Sequence, residues 1–221
     1  MSELPAAVGL LGGTFDPIHS GHIACANWAR KILGLSELRL LPAAVPPLKE
    51  RPAASAEQRL DMVSLACADH PGLCCDAREL TRTGASYTWQ TLAELRAELT
   101  SETPLVFVLG EDALEGLEQW HRWQDLLTLC HFAVLRRGDG PLVLSPGLSA
   151  MLEQRVTAPK ALLESAAGGV AWLQQPLYDL SSTVVRARLL GGEPVDSLLP
   201  KPVIEYIKRY DIYSSSSSAA S

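Results

Sequence analysis

Short apolar segments alternate with longer segments of helical spacing along most of the chain. Short, mostly apolar runs predict strands over residues 6–11, 38–41, 73–76, 105–109, 131–135 and 170–173, and the run 105–109 is continuously apolar. Apolar residues three or four apart predict helices over residues 20–33, 56–68, 87–99 and 151–156. This alternation indicates an α/β fold, a doubly wound parallel sheet with right-handed crossovers, together with a small C-terminal helical portion.

Several candidate ligand-binding residues follow the predicted strands directly. In parallel sheets of this kind, ligands bind at the carboxyl ends of the strands. Those ends are Gly12-Gly13, Gly110-Glu111-Asp112 and Arg136-Arg137. We therefore expect these residues to face one crevice.

One domain is expected over residues 1–213, with a core over residues 6–138 and a C-terminal portion over residues 170–213. The length of 221 residues suits one sizeable core. Residues 214–221 are serine and alanine only, so we predict a disordered tail there.

Composition and charge exclude several classes of protein. Hydrophobic residues make up 47% of the chain and charged residues 20%, as in ordinary globular proteins. No apolar run reaches the roughly 18 residues of a membrane helix, and the first residues do not resemble a secretory signal. The net charge of −6, without a basic stripe, argues against nucleic-acid binding. We expect a cytoplasmic protein, and leave open whether it is a homo-oligomer.

The five cysteines match neither a disulfide framework nor a zinc site. We interpret them as reduced residues of the core.

The segment GGTFDPIHSGH, residues 12–22, joins the first predicted strand to the first predicted helix. Gly12 and Gly13 have no Cβ, so peptide N–H groups can approach an anion there. His19 and His22 lie three residues apart at the helix start, where unpaired N–H groups and the helix dipole favour phosphate. By themselves, a glycine pair can be a simple turn and a histidine can be structural. His-x-x-His also suits a metal pair, but no third Cys, Asp or His ligand is suggested nearby.

A second candidate phosphate site lies in DLSSTVVR, residues 179–186. Ser181 or Ser182 is predicted to cap a helix that reaches Leu190 and ends at Gly191-Gly192. Arg186 lies three residues after Thr183 and therefore on the same helix face. Hydroxyls, free N–H groups and a guanidinium would together bind phosphate. The alternative is a plain capped helix with a surface arginine.

Taken together, these segments resemble the two signatures of the nucleotidyltransferase superfamily named for its HxGH motif. The residues between them are spaced like those of bacterial nicotinate-mononucleotide adenylyltransferases, and the match runs from about residue 6 to residue 213. The matching residues are Pro46, Pro47, Lys49, Ser86, Tyr87, Thr88, Gly110, Asp112, Trp120, Arg136 and Arg137. One departure is Leu48, where many members have histidine.

The resemblance implies a Rossmann-like enzyme that transfers AMP from ATP to nicotinate mononucleotide, giving deamido-NAD and pyrophosphate. It assigns catalysis to His19, His22 and Arg186. It assigns ATP binding to Gly12, Gly13, Thr14, Phe15, His19, His22, Ser182, Thr183 and Arg186. It assigns acceptor binding to Asp16, Lys49, Tyr87, Thr88, Asp112, Trp120 and Arg136. Mg²⁺ is expected to be bridged by phosphates and water, with no dedicated protein ligand.

Two alternatives remain open at this point. The same chemistry could use nicotinamide mononucleotide or another phosphorylated acceptor such as phosphopantetheine. The chain could also be a nucleotide-binding regulator without turnover, although a regulator has no need of His19, His22 and Arg186.

Overall fold

A computed structural model of the chain describes residues 6–44, 51–136, 140–174 and 180–214. Within these ranges, the strands are β1 (Val8–Gly13), β2 (Glu37–Pro42), β3 (Leu73–Cys75), β4 (Leu105–Gly110), β5 (His131–Arg136) and β6 (Val170–Gln174). The α-helices there are α1 (Ser20–Leu33), α2 (Ala56–Cys67), α3 (Arg78–Thr81), α4 (Thr88–Glu98), α5 (Glu111–Glu115), α6 (Leu126–Leu129), α7 (Pro146–Glu153), α8 (Ser182–Leu190) and α9 (Lys201–Arg209). Shorter 3₁₀ turns lie at Leu117–Gln119, Trp123–Asp125 and Pro159–Glu164.

The strands form one six-stranded sheet in the order β3-β2-β1-β4-β5-β6. β1 pairs with β4, β4 with β5 and β5 with β6, each time in parallel. The order reverses direction between β1 and β4, as in a doubly wound fold whose ligands bind at that switch point. The predicted α/β fold with a Rossmann-like parallel sheet is confirmed.

Continuous apolar segments form the centre of the sheet, as their pattern predicts. Residues 105–109 of β4 and residues 131–135 of β5 are all buried. A strand covered by helices on both faces needs apolar side chains at every position, because neither face meets water. The carboxyl ends of β1, β4 and β5 lie at the same edge of the sheet, because the three strands are parallel.

The ends of helix α1 show how local sequence sets the element bounds. Gly34 adopts a φ of +76° directly after the helix. The amide of Leu35 donates to the carbonyl of Arg30 at 3.0 Å, and that of Gly34 donates to Lys31 at 3.3 Å. This is the Schellman pattern, which favours glycine because its backbone must be left-handed. The predicted bounds of α1 are correct.

The predicted helix over residues 151–156 overlaps the observed helix only at residues 151–153, so its bounds are wrong. The observed α7 begins at Pro146, with the Ser145 hydroxyl accepting from the amide of Leu148 at 3.1 Å. Proline suits the first helical turn, because its missing N–H needs no partner there. Val156 instead forms an isolated bridge with Val170, so the chain is extended where a helix was predicted.

The described residues group into two compact units. Unit 1 comprises residues 6–12, 28–39, 86–136 and 140–174. Unit 2 comprises residues 13–27, 40–44, 51–85 and 180–214. The single domain over residues 1–213 stays a prediction.

Unit 2 contains a helix that sequence analysis did not identify. α9 follows Pro200 and packs against α2 through a buried apolar face that includes Val203, Ile204 and Ile207. Tyr206 of α9 donates its hydroxyl to Asp61 of α2 at 2.6 Å.

In the described part of the chain, no helix combines the length and apolarity needed to cross a bilayer.

The cysteines are free thiols, as expected, but only some of them belong to the core. Cys67 and Cys130 are buried, whereas Cys25, Cys74 and Cys75 are partly exposed. Burial raises the pKa of the Cys67 thiol to about 12, so this side chain stays protonated.

Candidate active site

The loop after β1 is shaped by one residue with a left-handed backbone. Phe15 is 2% exposed and has a φ of +50°, whereas Gly12 and Gly13 belong to β1. A Cβ on Gly13 would lie 2.8 Å from Cε1 of the Phe15 ring, closer than side chains pack. Gly13 is therefore needed for space beneath the ring of Phe15, and neither glycine adopts the positive φ that the sequence allowed.

His19 and His22 hold each other in place through reciprocal hydrogen bonds. The amide of His19 donates to Nδ1 of His22 at 3.2 Å, and the amide of His22 donates to Nδ1 of His19 at 3.2 Å. The rings stack with centroids 3.6 Å apart and planes at 17°. Because each Nδ1 accepts a hydrogen bond, the proton of each neutral ring lies on Nε2. Both histidines are therefore Nε2–H donors.

Burial keeps His19 neutral. The side chain is 4% exposed, and the loss of solvation lowers its pKa to about 4, although its backbone hydrogen bond opposes this shift. At neutral pH it offers a hydrogen bond without carrying a charge. His22, one turn further along, lies in a T-shaped contact with the Phe15 ring at 5.1 Å.

Helix α8 lies against this loop within unit 2. The Ser181 hydroxyl caps the helix by accepting from the amide of Val184 at 3.3 Å, which confirms the predicted start. The Ser182 hydroxyl donates to the carbonyl of Pro17 at 2.9 Å. The guanidinium of Arg186 donates to the carbonyl of Asp16 at 2.7 Å and to the hydroxyl of Thr183 at 3.4 Å. The two motifs are thus in direct contact.

Asp16 binds other parts of the protein through both carboxylate oxygens. Oδ2 accepts from the amide of Ala53 at 2.8 Å, and Oδ1 accepts from the amide of Ala54 at 3.0 Å. Oδ1 also accepts from the hydroxyl of Tyr213 at 2.8 Å. The role of Asp16 in acceptor binding stays a prediction, and its contacts give it a second role in holding the loop.

Sequence analysis missed Arg59, which is 0% exposed. Its Nη1 donates to the carbonyls of Thr14 and Ala43, each at 2.8 Å. Burial lowers its pKa, and the negative charge of Asp16 opposes that shift. Arg59 occupies the buried face of α2 with Met62, Val63 and Ala66. An arginine at such an apolar position was the available signal, because a buried cation needs polar partners.

A pocket of about 480 Å³ opens among these groups. Its lining consists of Thr14, Phe15, Asp16, His22, Arg51, Pro52, Ser182 and Arg186, all from unit 2. Six of these residues were predicted for the site, whereas Arg51 was not. His19 lies behind the lining and contacts it through His22. Two arginines and a single carboxylate leave this lining with a positive balance, which favours an anionic ligand.

Two of the predicted acceptor residues lie at the start of α4 in unit 1. Tyr87 is 37% exposed, and its ring lies 4.6 Å from the ring of His121, which sequence analysis did not single out. The Tyr87 amide donates to the side chain of Gln90 at 3.3 Å, and Thr88 is the first residue of the helix. Lys49 and Leu48 lie outside the described residues.

The other predicted acceptor residues follow β4 and β5, also in unit 1. Trp120 is partly exposed and meets Phe107 edge to face at 6.0 Å. Arg136 donates to Glu111 at 2.6 Å and to the carbonyl of Gly140. Asp112 is exposed in α5. These side chains therefore offer an aromatic face, a guanidinium and a carboxylate.

Among the residues that the structure describes, no three His, Cys, Asp or Glu side chains cluster in a way that could hold a metal ion. The carboxylate that lines the pocket, Asp16, accepts three hydrogen bonds from protein donors and lies 3.6 Å from the guanidinium of Arg186. The pocket therefore suits a cation that arrives with its own phosphate and water ligands better than one held by the protein.

The chain matches known proteins along most of its length. Residues 10–188 match the model of the cytidylyltransferase-like family. A "probable nicotinate-nucleotide adenylyltransferase" of Aeromonas hydrophila is 44% identical over 211 residues, which cover 95% of this chain and 98% of the relative. A protein of the same name from Yersinia pestis (strain Pestoides F) is 43% identical over 206 residues, covering 92% and 94% of the two chains.

A solved structure shows the same fold at low identity. It is the Plasmodium falciparum nicotinic acid mononucleotide adenylyltransferase complexed with NaAD, which aligns with a TM-score of 0.65 and 16% identity over 94% of this chain and 97% of that chain. The predicted membership of this enzyme family is confirmed by the sequence relatives. The chain belongs to the nicotinate-nucleotide adenylyltransferases, within the cytidylyltransferase-like family.

Proposed function

We propose that this enzyme transfers AMP from ATP to nicotinate mononucleotide. An oxygen of the acceptor 5′-phosphate attacks the α-phosphorus of ATP, the bond between the α- and β-phosphates breaks, and pyrophosphate leaves with that bonding pair. The products are deamido-NAD and pyrophosphate. The proposal rests on one observation above all, the contact between the HSGH loop and the SSTVVR helix around a pocket with a positive balance of charge. The shared name of the relatives supports the same reaction.

The substrate phosphate is the nucleophile, so the protein needs only to position the reactants and stabilise charge. His19 donates its Nε2–H to the α-phosphate, where negative charge develops. A neutral donor of this kind needs no proton exchange with solvent during the reaction, since its pKa of about 4 keeps it in one state. His22 and Arg186 bind the departing β- and γ-phosphates.

The remaining ATP contacts come from backbone groups. Gly12, Gly13, Thr14 and Phe15 surround the nucleotide on the side of β1. On the opposite side, Ser182 and Thr183 present the first amides of α8, which point out of the helix and favour phosphate. The Ser182 hydroxyl keeps its oxygen as an acceptor while its proton binds Pro17. Mg²⁺ would be held by the phosphates of ATP and by water, and would supply further neutralisation of the phosphate charge.

The acceptor is proposed to bind the unit 1 residues. Trp120 stacks on the pyridine ring, and Tyr87 and Thr88 bind its carboxylate through backbone groups. Asp112 accepts from a ribose hydroxyl, and Arg136 binds the 5′-phosphate while Glu111 holds its guanidinium. The location of the enzyme in the cytoplasm stays a prediction, which cell fractionation can test.

The decisive experiment compares acceptors. Purified protein is incubated with ATP and Mg²⁺ plus nicotinate mononucleotide, nicotinamide mononucleotide or phosphopantetheine, and pyrophosphate release is measured for each. We expect the fastest release with nicotinate mononucleotide. Equal or faster release with the amide would show that the acceptor assignment is wrong. Binding of ATP without release in any reaction would indicate a regulator instead of an enzyme.

A further inference from the structure

A buried hydrogen bond in unit 2 joins Tyr213, which follows helix α9, to Asp16 in the loop after β1. The hydroxyl of Tyr213 donates to Oδ1 of Asp16 at 2.8 Å, although the two residues are 197 positions apart. Both residues are 5% exposed. Burial beside the negative charge of Asp16 raises the pKa of Tyr213, so its hydroxyl remains a donor.

Asp16 in turn contacts Arg186 through two of its oxygens. Its backbone carbonyl accepts from Nη1 of Arg186 at 2.7 Å, and its Oδ2 lies 3.6 Å from the same nitrogen. The Arg186 side chain is 30% exposed, so it has room for several rotamers. A contact that selects one rotamer removes the entropy cost of ordering this long side chain when phosphate binds.

The turn after α9 is built to bring Tyr213 to this place. Asp211 has a φ of +50° and Tyr213 a φ of +59°, in the left-handed region that non-glycine residues rarely adopt. The amide of Ile212 donates to the carbonyl of Ile207 at 3.1 Å and fixes the turn. Two left-handed residues within three positions place the Tyr213 ring in the interior of unit 2.

We infer that Tyr213 is a positioning residue for adenylyl transfer. Its hydroxyl orients Asp16, and Asp16 holds the guanidinium of Arg186 toward the departing phosphates. Tyr213 lines no part of the pocket and acts only through these two residues. The inference rests on the proposed function, because it assigns Arg186 to those phosphates.

The test is a double-mutant cycle with a matched control. Tyr213→Phe removes the hydroxyl and keeps the buried ring, and Arg186→Lys removes the planar fork of donors. Tyr206→Phe is the control, because Tyr206 also donates to an aspartate, Asp61, at 2.6 Å but does not contact Arg186. We expect Tyr213→Phe to lower kcat about tenfold, as displaced catalytic groups do, with an unchanged KM for the mononucleotide. Tyr206→Phe should leave kcat unchanged.

The cycle distinguishes positioning from a general loss of stability. In the Arg186→Lys background, Tyr213→Phe should change kcat by less than about twofold, because both substitutions remove the same interaction. Melting temperatures measure whether Tyr213→Phe and Tyr206→Phe are equally folded. A normal kcat for Tyr213→Phe, or effects of the two substitutions that multiply, would overturn the inference.

The affinity for ATP in the presence of Mg²⁺ and without an acceptor is also measured by calorimetry for the four proteins of the cycle. Coupling between Tyr213 and Arg186 in this affinity supports the inference, and independent effects overturn it. A wild-type protein that binds ATP but releases no pyrophosphate would contradict the proposed function, while the binding cycle would still decide the role of Tyr213.

Discussion

The side chains around the pocket of unit 2 and the proposed acceptor residues of unit 1 are held in place by different kinds of contact. In and directly behind the pocket, His19, His22 and Asp16 bind backbone amides, and Ser182 and Arg186 bind backbone carbonyls. Among the proposed acceptor residues, Trp120 and Tyr87 contact other rings, and Arg136 donates to the side chain of Glu111 as well as to the carbonyl of Gly140. Backbone groups cannot change rotamer, so they fix a polar side chain more rigidly than another side chain does.

The difference matches what each region is proposed to do. Transition-state stabilisation needs donors that are already oriented before charge develops, since reorientation during the reaction costs free energy. Recognition of a ring needs a flat apolar face, which an aromatic side chain supplies with less stringent geometry. Substitutions in the pocket should therefore act on kcat, and substitutions on the acceptor side should act on KM.

The largest effect is expected for His19→Ala. The variant loses the proposed donor to the α-phosphate and leaves the amide of His22 without its Nδ1 acceptor. We expect kcat to fall by on the order of a hundredfold or more, as when a key electrostatic donor is removed. Steady-state pyrophosphate release measures this fall.

The control for His19→Ala is His70→Ala, which removes a histidine of the same unit whose ring nitrogen lies 3.2 Å from the side-chain nitrogen of Asn27. It should keep normal turnover. Near-normal turnover of the His19 variant itself would show that His19 has no role in the proposed mechanism. It would also contradict the expected difference between substitutions in the pocket, which should act on kcat, and substitutions of acceptor residues, which should act on KM.

A smaller effect is expected for Trp120→Ala. Loss of the stacking face should raise KM for nicotinate mononucleotide about tenfold, because stacking on an aromatic side chain contributes roughly 1–3 kcal/mol. kcat and the KM for ATP should change little. Initial rates at varied concentrations of each substrate separate these parameters.

Trp120→Phe and Trp89→Ala are the matched controls. Phenylalanine retains a ring and should restore most of the affinity for the mononucleotide. Trp89 is not among the proposed acceptor residues, and the Arg122 guanidinium lies 3.8 Å over its ring. An equal rise in KM for Trp89→Ala would show that general disturbance of unit 1, and not lost stacking, explains the Trp120 result.

The smallest effect concerns stability at acid pH. His19 has a pKa of about 4 in the folded protein and an ordinary value of 6.5 when unfolded. Between these pH values the unfolded state binds a proton that the folded state does not. The contribution of this group to the free energy of unfolding is therefore complete above pH 6.5 and is lost as the pH falls toward 4. The expected slope from this one group is at most about 1.4 kcal/mol per pH unit.

Unfolding by urea at several pH values measures the slope, with His19→Asn as the comparison. Asparagine keeps an acceptor for the His22 amide but does not titrate, so the variant should show a shallower loss of stability. Burial also lowers the pKa of His131, which contributes in the same direction and is unchanged in the variant. Identical slopes for both proteins would contradict the buried neutral state of His19.

Most of the sheet could be predicted because each strand carries its own signal. Residues 105–109 are apolar at every position, and residues 131–135 are apolar except for His131, so each strand can be identified from its own residues. The helix over residues 151–156 was misplaced because the start signal, Ser145 followed by Pro146, precedes Gly147 and is therefore weak. Short helices such as α3 and α5 escaped prediction, since four or five residues carry too little periodicity.

The sequence by itself determined the family and the two motifs that we propose to bind phosphate, because each motif is a contiguous set of residues that leads into a helix. Only the tertiary structure decided that Asp16 binds Tyr213 and Arg186, and that Arg59 lies buried beneath the loop. Contacts between residues far apart in the chain have no periodicity for a sequence pattern to reveal. They depend on how the helices pack, and that packing decides which donor each buried oxygen meets.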